Sequence, residues 1–256
     1  MHTAGIPVHY TKWRPSMFRL GKKHPVLFEI LLVVVAFLAA ALITVGTSSF
    51  FTTADIGTSV ARIAVGALLL PVFHKAFRVR NPFTRFGIVI PAFLFACWNL
   101  FYNFSSGMKL GSPSRFIEGA VTALAPALFE EVIFRGIFLY NLRENGNGDL
   151  SCLLISSFLF SAIHLTNIVG MDLVSVGIQM GYSFVIGLVF GAVYLRNGSL
   201  LQIILAHFLT DFTNRIFVES ASSASYAQLA VFCVLLAAEA VYAFMLMGKR
   251  SDNIPA

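Results

Sequence analysis

The chain has 256 residues, of which 57% are hydrophobic and only 12% are charged, and its mean hydropathy is +0.81. A soluble domain carries about 25% charged residues, so these figures exclude an ordinary soluble protein and also a disordered chain. The net charge of +6 comes from short basic clusters between apolar runs, a pattern that is typical of membrane orientation and argues against nucleic-acid binding. We therefore predict an all-α, polytopic membrane protein.

Apolar runs long enough to cross a lipid bilayer recur along the whole chain. The first, from Val26 to about Val45, is too long for the core of a typical signal peptide, so we interpret it as an uncleaved membrane span. The further spans are predicted at 57–74, 86–104, 116–140, 150–169, 173–195, 199–217 and 226–247. Turn-forming residues separate the spans, so the sequence predicts one bundle of about eight transmembrane helices without a soluble module.

The distribution of Lys and Arg predicts how this bundle is oriented. The side that holds both termini and the even-numbered connections has thirteen of the 18 basic residues, whereas the other side has Lys109, Arg115 and Arg215. The remaining two, Arg62 and Arg135, lie within spans. The positive-inside rule therefore predicts a multi-pass integral membrane protein with both termini in the cytoplasm.

Four glycines punctuate the sixth predicted span at intervals typical of close helix packing. Gly177 and Gly181 form one Gly-x-x-x-Gly pair, and Gly187 and Gly191 form another. In lipid, this spacing lets two helix backbones approach each other closely. We expect these glycines to pack inside the bundle rather than at a dimer interface.

Ionisable side chains lie well inside three of the predicted spans. Such a group near the bilayer centre costs at least ~2.5–3.5 kcal/mol on insertion scales, so each requires a reason. The residues are Glu130, Glu131 and Arg135 in the fourth span, His164 in the fifth, and His207 and Asp211 in the seventh. At 1.5 Å per residue, their depths are compatible with one shared site. We expect a polar cavity between these spans that opens to the cytoplasmic side.

The spacing along each helix predicts which groups interact. Glu131 and Arg135 are four residues apart and can form a charge pair. Glu130 is rotated by about 100° from Glu131, so it is left for another partner. His207 and Asp211 are also four residues apart, and we expect the aspartate to orient or charge the imidazole.

These residue types suit hydrolysis by an activated water molecule. A glutamate that faces a histidine can hold a water between them and remove its proton as the water attacks a carbonyl carbon. Phe160, one turn before His164, is expected to hold the imidazole ring in place. A second histidine from another helix can donate to the developing oxyanion. The sequence has no Gly-x-Ser-x-Gly motif that would indicate a serine nucleophile.

Three motifs follow one another on successive apolar helices: Glu-Glu-x-x-x-Arg at 130–135, Phe-x-x-x-His at 160–164 and His-x-x-x-Asp at 207–211. This order resembles the CPBP family, the intramembrane endopeptidases of the CAAX-processing, bacteriocin-processing and abortive-infection type, over about 116–217. The resemblance implies hydrolysis of peptide bonds in membrane-associated peptides or proteins, lipidated ones included, in contact with membrane lipid.

The resemblance also implies a role for each motif residue. Glu130 is similar to the family's catalytic base, which shares the attacking water with His164, and His207 is similar to the histidine on the oxyanion side. The supporting residues are Glu131, Arg135 and Phe160. Asp211 stands where the prenyl-protein proteases of the family carry Asn, so we expect it to orient His207 or to be protonated.

The chain is accordingly divided into four segments. A cytoplasmic basic segment covers 1–25 and the N-terminal transmembrane helices cover 26–115. The catalytic core helices with the three motifs cover 116–217, and the last transmembrane helix with a cytoplasmic tail covers 218–256.

Three alternatives remain open at the level of the sequence. Glu130, His164 and His207 could supply three ligands to a catalytic zinc ion with water in the fourth position, although a mechanism without metal or other cofactor is favoured because it uses every motif residue. A proton-coupled transporter would also place Glu, His and Arg near the bilayer centre. A non-catalytic membrane scaffold that keeps the fold is the third alternative.

Further ionisable residues lie in or near spans without a place in the predicted site. Glu29 and Glu118 are near span ends and are expected to reach the interface. Arg62 is expected to snorkel, with its stem in lipid and its charge near water. Glu239 lies deep in the last span and has no explanation at this stage.

Overall fold

The computed structural model describes residues 23–51, 53–73, 85–218 and 225–248, and in these ranges the protein is an all-α bundle. The predictions made for the basic N-terminal segment before residue 23, for the basic connection at 74–84 and for the tail after residue 248 lie outside the described residues.

The helices occur where the apolar runs predict them. In chain order they are α1 (Pro25–Thr47), α2 (Ala54–Val72), α3 (Leu94–Ser105), α4 (Pro113–Glu131), α5 (Tyr140–Glu144), α6 (Asp149–Ala162), α7 (Leu173–Asn197), α8 (Leu200–Arg215) and α9 (Tyr226–Gly248). The tighter 3-10 turns are Ser48–Phe50, Phe86–Ile88, Pro91–Phe93 and Ile163–Val169, and a wider π-helical stretch, Val132–Leu139, joins α4 to α5.

Long apolar helices identify the chain as a multi-pass integral membrane protein. Within the described ranges, the segments long and apolar enough to cross a membrane are Pro25–Phe50, Asp55–Val72, Asp149–Val169, Leu173–Asn197 and Tyr226–Gly248. The outward face of α1 carries exposed Val35, Leu42 and Val45, which only lipid can cover without a large hydrophobic penalty. Since α3 and α8 are shorter and α4 carries charges, the number of eight spans stays a prediction.

The helices alternate in direction, so the bundle has two ends. The terminal end, as we call it, holds the first residue of α1, the last residue of α9 and the α5–α6 and α7–α8 connections. The opposite end holds the α1–α2, α3–α4, α6–α7 and α8–α9 connections. There the short strands β1 (Lys109–Leu110) and β2 (Phe217–Val218) pair antiparallel, which ties two of these connections together.

The glycines of α7 allow it to approach α6. A Cβ atom built on Gly187 would lie 3.1 Å from both Cα and Cβ of Ser157, and one built on Gly191 would lie 2.6 Å from Cδ1 of Leu153. A Cβ atom on Gly177 would meet nothing within 4 Å. Only the second of the two predicted glycine pairs therefore packs inside the bundle.

This contact predicts a stability difference between two glycine substitutions in one helix. Gly187→Leu would place a side chain against the backbone of α6, and overpacking of this kind costs about 1–3 kcal/mol. Gly177→Leu fills open space and should change the free energy of unfolding by less than about 0.5 kcal/mol. Reversible denaturation in mixed micelles measures both, and equal effects of the two substitutions would contradict the packing described here.

Candidate active site

A single buried carboxylate oxygen joins two of the predicted site residues. Oε1 of Glu131 accepts hydrogen bonds from Nη1 of Arg135 at 2.9 Å and from Nδ1 of His207 at 2.8 Å. The side chains of Glu131 and Arg135 have no exposed surface. The predicted charge pair between these two residues is therefore confirmed, and it extends to a histidine from another helix.

Arg135 links this carboxylate to two more helices. Its guanidinium lies over the ring of Phe160 in α6, 4.2 Å from the ring centroid, and Nη2 donates to the carbonyl oxygen of Gly187 in α7 at 3.4 Å. Cation–π contacts of this kind are strongest where water is excluded. The arginine thus fixes the relative positions of the chain after α4, α6 and α7 around the Glu131 carboxylate.

The predicted orientation of His207 by Asp211 has no hydrogen bond to support it among the described residues. Oδ2 of Asp211 lies 3.5 Å from Nη2 of Arg215, and both side chains of this pair are partly exposed. Residues four apart share a helix face, but the His207 ring points into the bundle towards Glu131. Asp211 lies one turn closer to the opposite end, where the next residue on its face, Arg215, is the cation within reach.

His164 is fixed by its own helix turn. Its Nδ1 lies 3.0 Å from the carbonyl oxygen of Phe160, which can only accept, so Nδ1 carries the hydrogen and Nε2 has a free lone pair in the neutral ring. The Phe160 ring contacts the imidazole edge-on, with 5.4 Å between the ring centroids. This agrees with the expected role of Phe160 in holding the ring. Ile163–Val169, the 3-10 segment that carries His164, follows directly after α6.

The catalytic residues predicted from the sequence line one cavity of about 680 Å³. Glu130, His164, His207 and Asp211 all contribute to its wall, as does Phe160. Glu131 and Arg135 are not among the lining residues and support the wall from behind. The structure therefore brings residues from three separate helices to a common space, as the motif pattern predicts.

The cavity extends from the middle of the bundle to its opposite end. Lining residues close to that end include Tyr102, Asn167, Arg215 and Gln228, which lie within a few residues of the connections there. A cavity open to the cytoplasm and cytoplasmic termini are therefore incompatible in this structure. At most one of these two predictions can hold, because the cavity and the termini of the bundle lie at different ends.

Arg62 is a cavity residue that the sequence argument misses. It was expected to snorkel, yet it lines the cavity, and its guanidinium lies 5.4 Å from the centroid of the Phe37 ring. No carboxylate of the described residues lies within ion-pair distance of it. A lone cation in the middle of an apolar span was the available signal, since such residues usually face the interior.

Two asparagine side chains of α3 are also part of the site, although the sequence did not predict them. Nδ2 of Asn99 donates to the carbonyl oxygen of Thr210 at 2.7 Å, and Nδ2 of Asn103 donates to that of Thr213 at 3.3 Å. These bonds hold α8, which carries His207, against α3. Their four-residue spacing within an apolar run would have predicted one shared polar face.

The remaining ionisable residues differ in their burial and in their partners. Glu29 was expected to reach the interface, but it is fully buried, and neither carboxylate oxygen has a hydrogen-bond partner among the described residues. Glu118 lies near the start of α4, where Arg115 is 3.7 Å away. Glu239 is buried in α9, and the structure gives no reason for its presence there.

The zinc alternative requires three converging ligands. Within the part of the chain that the structure describes, no group of three or more His, Cys, Asp or Glu side chains is arranged to hold a metal ion. Glu130, His164 and His207 therefore share a cavity without forming the tight ligand set that a zinc ion takes.

The shared carboxylate predicts a stability difference between two acidic residues. Glu131→Ala leaves the buried Arg135 guanidinium without its counter-charge, which costs about 3–5 kcal/mol. Asp211→Ala removes only a partly exposed pair, which contributes at most about 1 kcal/mol. Denaturation of both variants in mixed micelles measures the difference, and a larger loss for Asp211→Ala would refute the observed pairing.

Comparison with models of known families finds a similarity over the helices that carry the site. Residues 112–213 match the family described as Rce1-like, "Type II CAAX prenyl endopeptidase Rce1-like". Comparisons with curated proteins and with solved structures found no match. The matched segment runs from the residue before α4 into α8 and contains all three motifs, which confirms the resemblance drawn from them. The helices that build this site are therefore similar to those of the Rce1-like, type II CAAX prenyl endopeptidase family.

Proposed function

We propose that the protein is an intramembrane endopeptidase that hydrolyses peptide bonds of membrane-associated substrates with a water molecule activated by Glu130 and His164. The observation that carries this proposal is the common cavity, in which a carboxylate and two imidazoles from three helices face one space. Each of these groups is expensive to keep inside a membrane, and a common catalytic role accounts for all of them together.

The first step forms the bond between water and substrate. Nε2 of His164 accepts one hydrogen bond from the water, because Nδ1 of that ring is occupied by the Phe160 carbonyl. Glu130 removes the other proton as the water oxygen attacks the carbonyl carbon of the scissile bond. The carbonyl oxygen becomes an oxyanion, and Glu130 is then protonated.

His207 supplies the charge that stabilises this oxyanion. Its Nδ1 donates to Glu131, so Nε2 can donate only if the ring is an imidazolium. The Glu131 carboxylate at Nδ1 favours the imidazolium form of this ring, as does the Glu130 carboxylate that faces the same cavity. A preorganised donor in a site shielded from water is an effective stabiliser of developing negative charge.

The second step breaks the peptide bond. The tetrahedral intermediate collapses, the bond from carbon to nitrogen breaks, and the proton held by Glu130 passes to the departing amine. The products are a new carboxylic acid and a new amine, between which the second proton of the water is transferred to give a carboxylate and an ammonium group, and Glu130 returns to its ionised form.

The substrate must lie in the cavity in an extended form. A helical segment hides its carbonyl groups in its own hydrogen bonds, whereas an extended backbone exposes them and needs polar partners in the protein. The amide side chains of Asn167, Gln179, Asn214 and Gln228 line the cavity. They offer donors and acceptors to such a backbone.

The proposal predicts that Glu130→Gln and His164→Ala each abolish cleavage without unfolding the protein. General-base catalysis contributes about 10²–10⁴-fold, so the rate should fall at least about a hundredfold. Comparison of membrane peptides from cells that produce the wild type or the Glu130→Gln variant should reveal uncleaved peptides that accumulate only with the variant.

Glu118→Gln is the matched control, because Glu118 lies on the same helix but is paired with Arg115 near its start. This variant should retain wild-type cleavage. Identical peptide profiles for the wild type and Glu130→Gln, with both proteins folded, would rule out the proposed enzyme. Loss of ion transport in the same variant would instead favour the transporter alternative.

A further inference from the structure

The position of the cavity along the bundle is defined by several helices independently. On α6 and α8, which run towards the opposite end, the lining residues reach Asn167 and the final residue, Arg215. On α9, which runs away from that end, the lining begins at Gln228, in the first turn. No lining residue lies in the last two turns of α7 or the first turn of α8, at the terminal end.

In the sequence, the basic residues fall mainly in the segments that flank or connect helices at the terminal end. By sequence position these segments carry thirteen Lys and Arg residues, of which the structure describes Lys23, Arg85, Arg143 and Arg196, whereas the segments of the opposite end carry Lys109, Arg115 and Arg215. The positive charge of Arg215 is also partly balanced by the carboxylate of Asp211, which lies 3.5 Å away. Short loops rich in Lys and Arg stay in the cytoplasm during membrane insertion.

We propose that the catalytic cavity opens on the extracytoplasmic face of the membrane. The two observations are independent, because the first concerns where the cavity lies along the helices and the second concerns the charge of the connections. The orientation itself does not depend on catalysis. Only the substrate class that follows from it rests on the proposed endopeptidase function.

The orientation selects the class of substrate. A peptide segment reaches the cavity if it lies on the outer side of the membrane, either as an exported peptide or as the outer end of a membrane-spanning segment. A prenylated carboxyl terminus, which is anchored in the cytoplasmic leaflet, would meet the terminal end. None of the described residues that line the cavity lies at that end. The substrate is therefore an extracytoplasmic peptide segment.

Single-cysteine labelling tests this orientation directly. Cys97, Cys152 and Cys233 are free thiols and are first replaced by alanine in the full chain. Thr166→Cys then places an exposed thiol at the cavity mouth, and Glu144→Cys places an exposed thiol at the terminal end. Bacterial spheroplasts that produce each variant are treated with a membrane-impermeant maleimide, before and after permeabilisation.

We expect Thr166→Cys to be labelled in intact spheroplasts and Glu144→Cys to be labelled only after permeabilisation. The reverse pattern, labelling of both thiols in intact spheroplasts, or protection of Thr166→Cys until permeabilisation would each overturn the proposal. The same labelling is expected in a Glu130→Gln background, so failure of the orientation is distinguishable from failure of the enzyme hypothesis.

The catalytic consequence has its own readout in reconstituted vesicles. A bulky impermeant maleimide attached to Thr166→Cys should lower cleavage of a peptide added from the mouth side by more than tenfold. The same reagent on Glu144→Cys should leave cleavage unchanged. If labelling confirms the orientation but the blocked protein cleaves normally, the route of the substrate proposed here is wrong.

Discussion

One carboxylate oxygen, Oε1 of Glu131, determines the geometry of the whole site. It accepts from Arg135 on the same helix face and from His207 on α8, with no water-exposed surface on the glutamate. In a medium of low polarity, an arginine without its counter-charge is costly, so the contact holds the helices at one separation. The histidine that faces the substrate is therefore positioned by a group that never touches the substrate.

The two adjacent glutamates face different surroundings because a helix turns by about 100° per residue. Glu131 faces the interior and serves as a structural anion, whereas Glu130 faces the cavity and is free for proton transfer. The π-helical stretch at Val132–Leu139 begins directly after them. Such stretches are rare and occur frequently at functional sites, and here the stretch carries Arg135, whose guanidinium contacts the site from behind.

The sequence predicted much of this arrangement, and the reasons for the failures are physical. Apolar runs predicted the helices, and spacing predicted the pair of Glu131 and Arg135, because both follow from periodicity within one helix. The partner of His207 could not be predicted in this way. A spacing of four offered Asp211, but the rotation of α8 relative to α4 decides the contact, and that rotation depends on tertiary packing.

The same limit applies to the position of the cavity. Depth counted along single helices placed the polar groups near the bilayer centre, but it did not show which end the free space reaches. Arg62 was misassigned for a related reason, since only the packing of α2 against its neighbours decides whether its side chain faces lipid or the cavity. Glu29 and Glu239 remain buried carboxyl groups for which neither sequence nor packing gives a reason.

The most direct test of the central contact is a double-mutant cycle between Glu131→Gln and His207→Gln, measured as free energies of unfolding in mixed micelles. If one oxygen of Glu131 holds His207, the two substitutions should couple by about 0.5–3 kcal/mol, while His207→Gln combined with Asp211→Asn should couple more weakly, because no hydrogen bond joins that pair. Additive effects of Glu131→Gln and His207→Gln, within about 0.5 kcal/mol, would contradict the account.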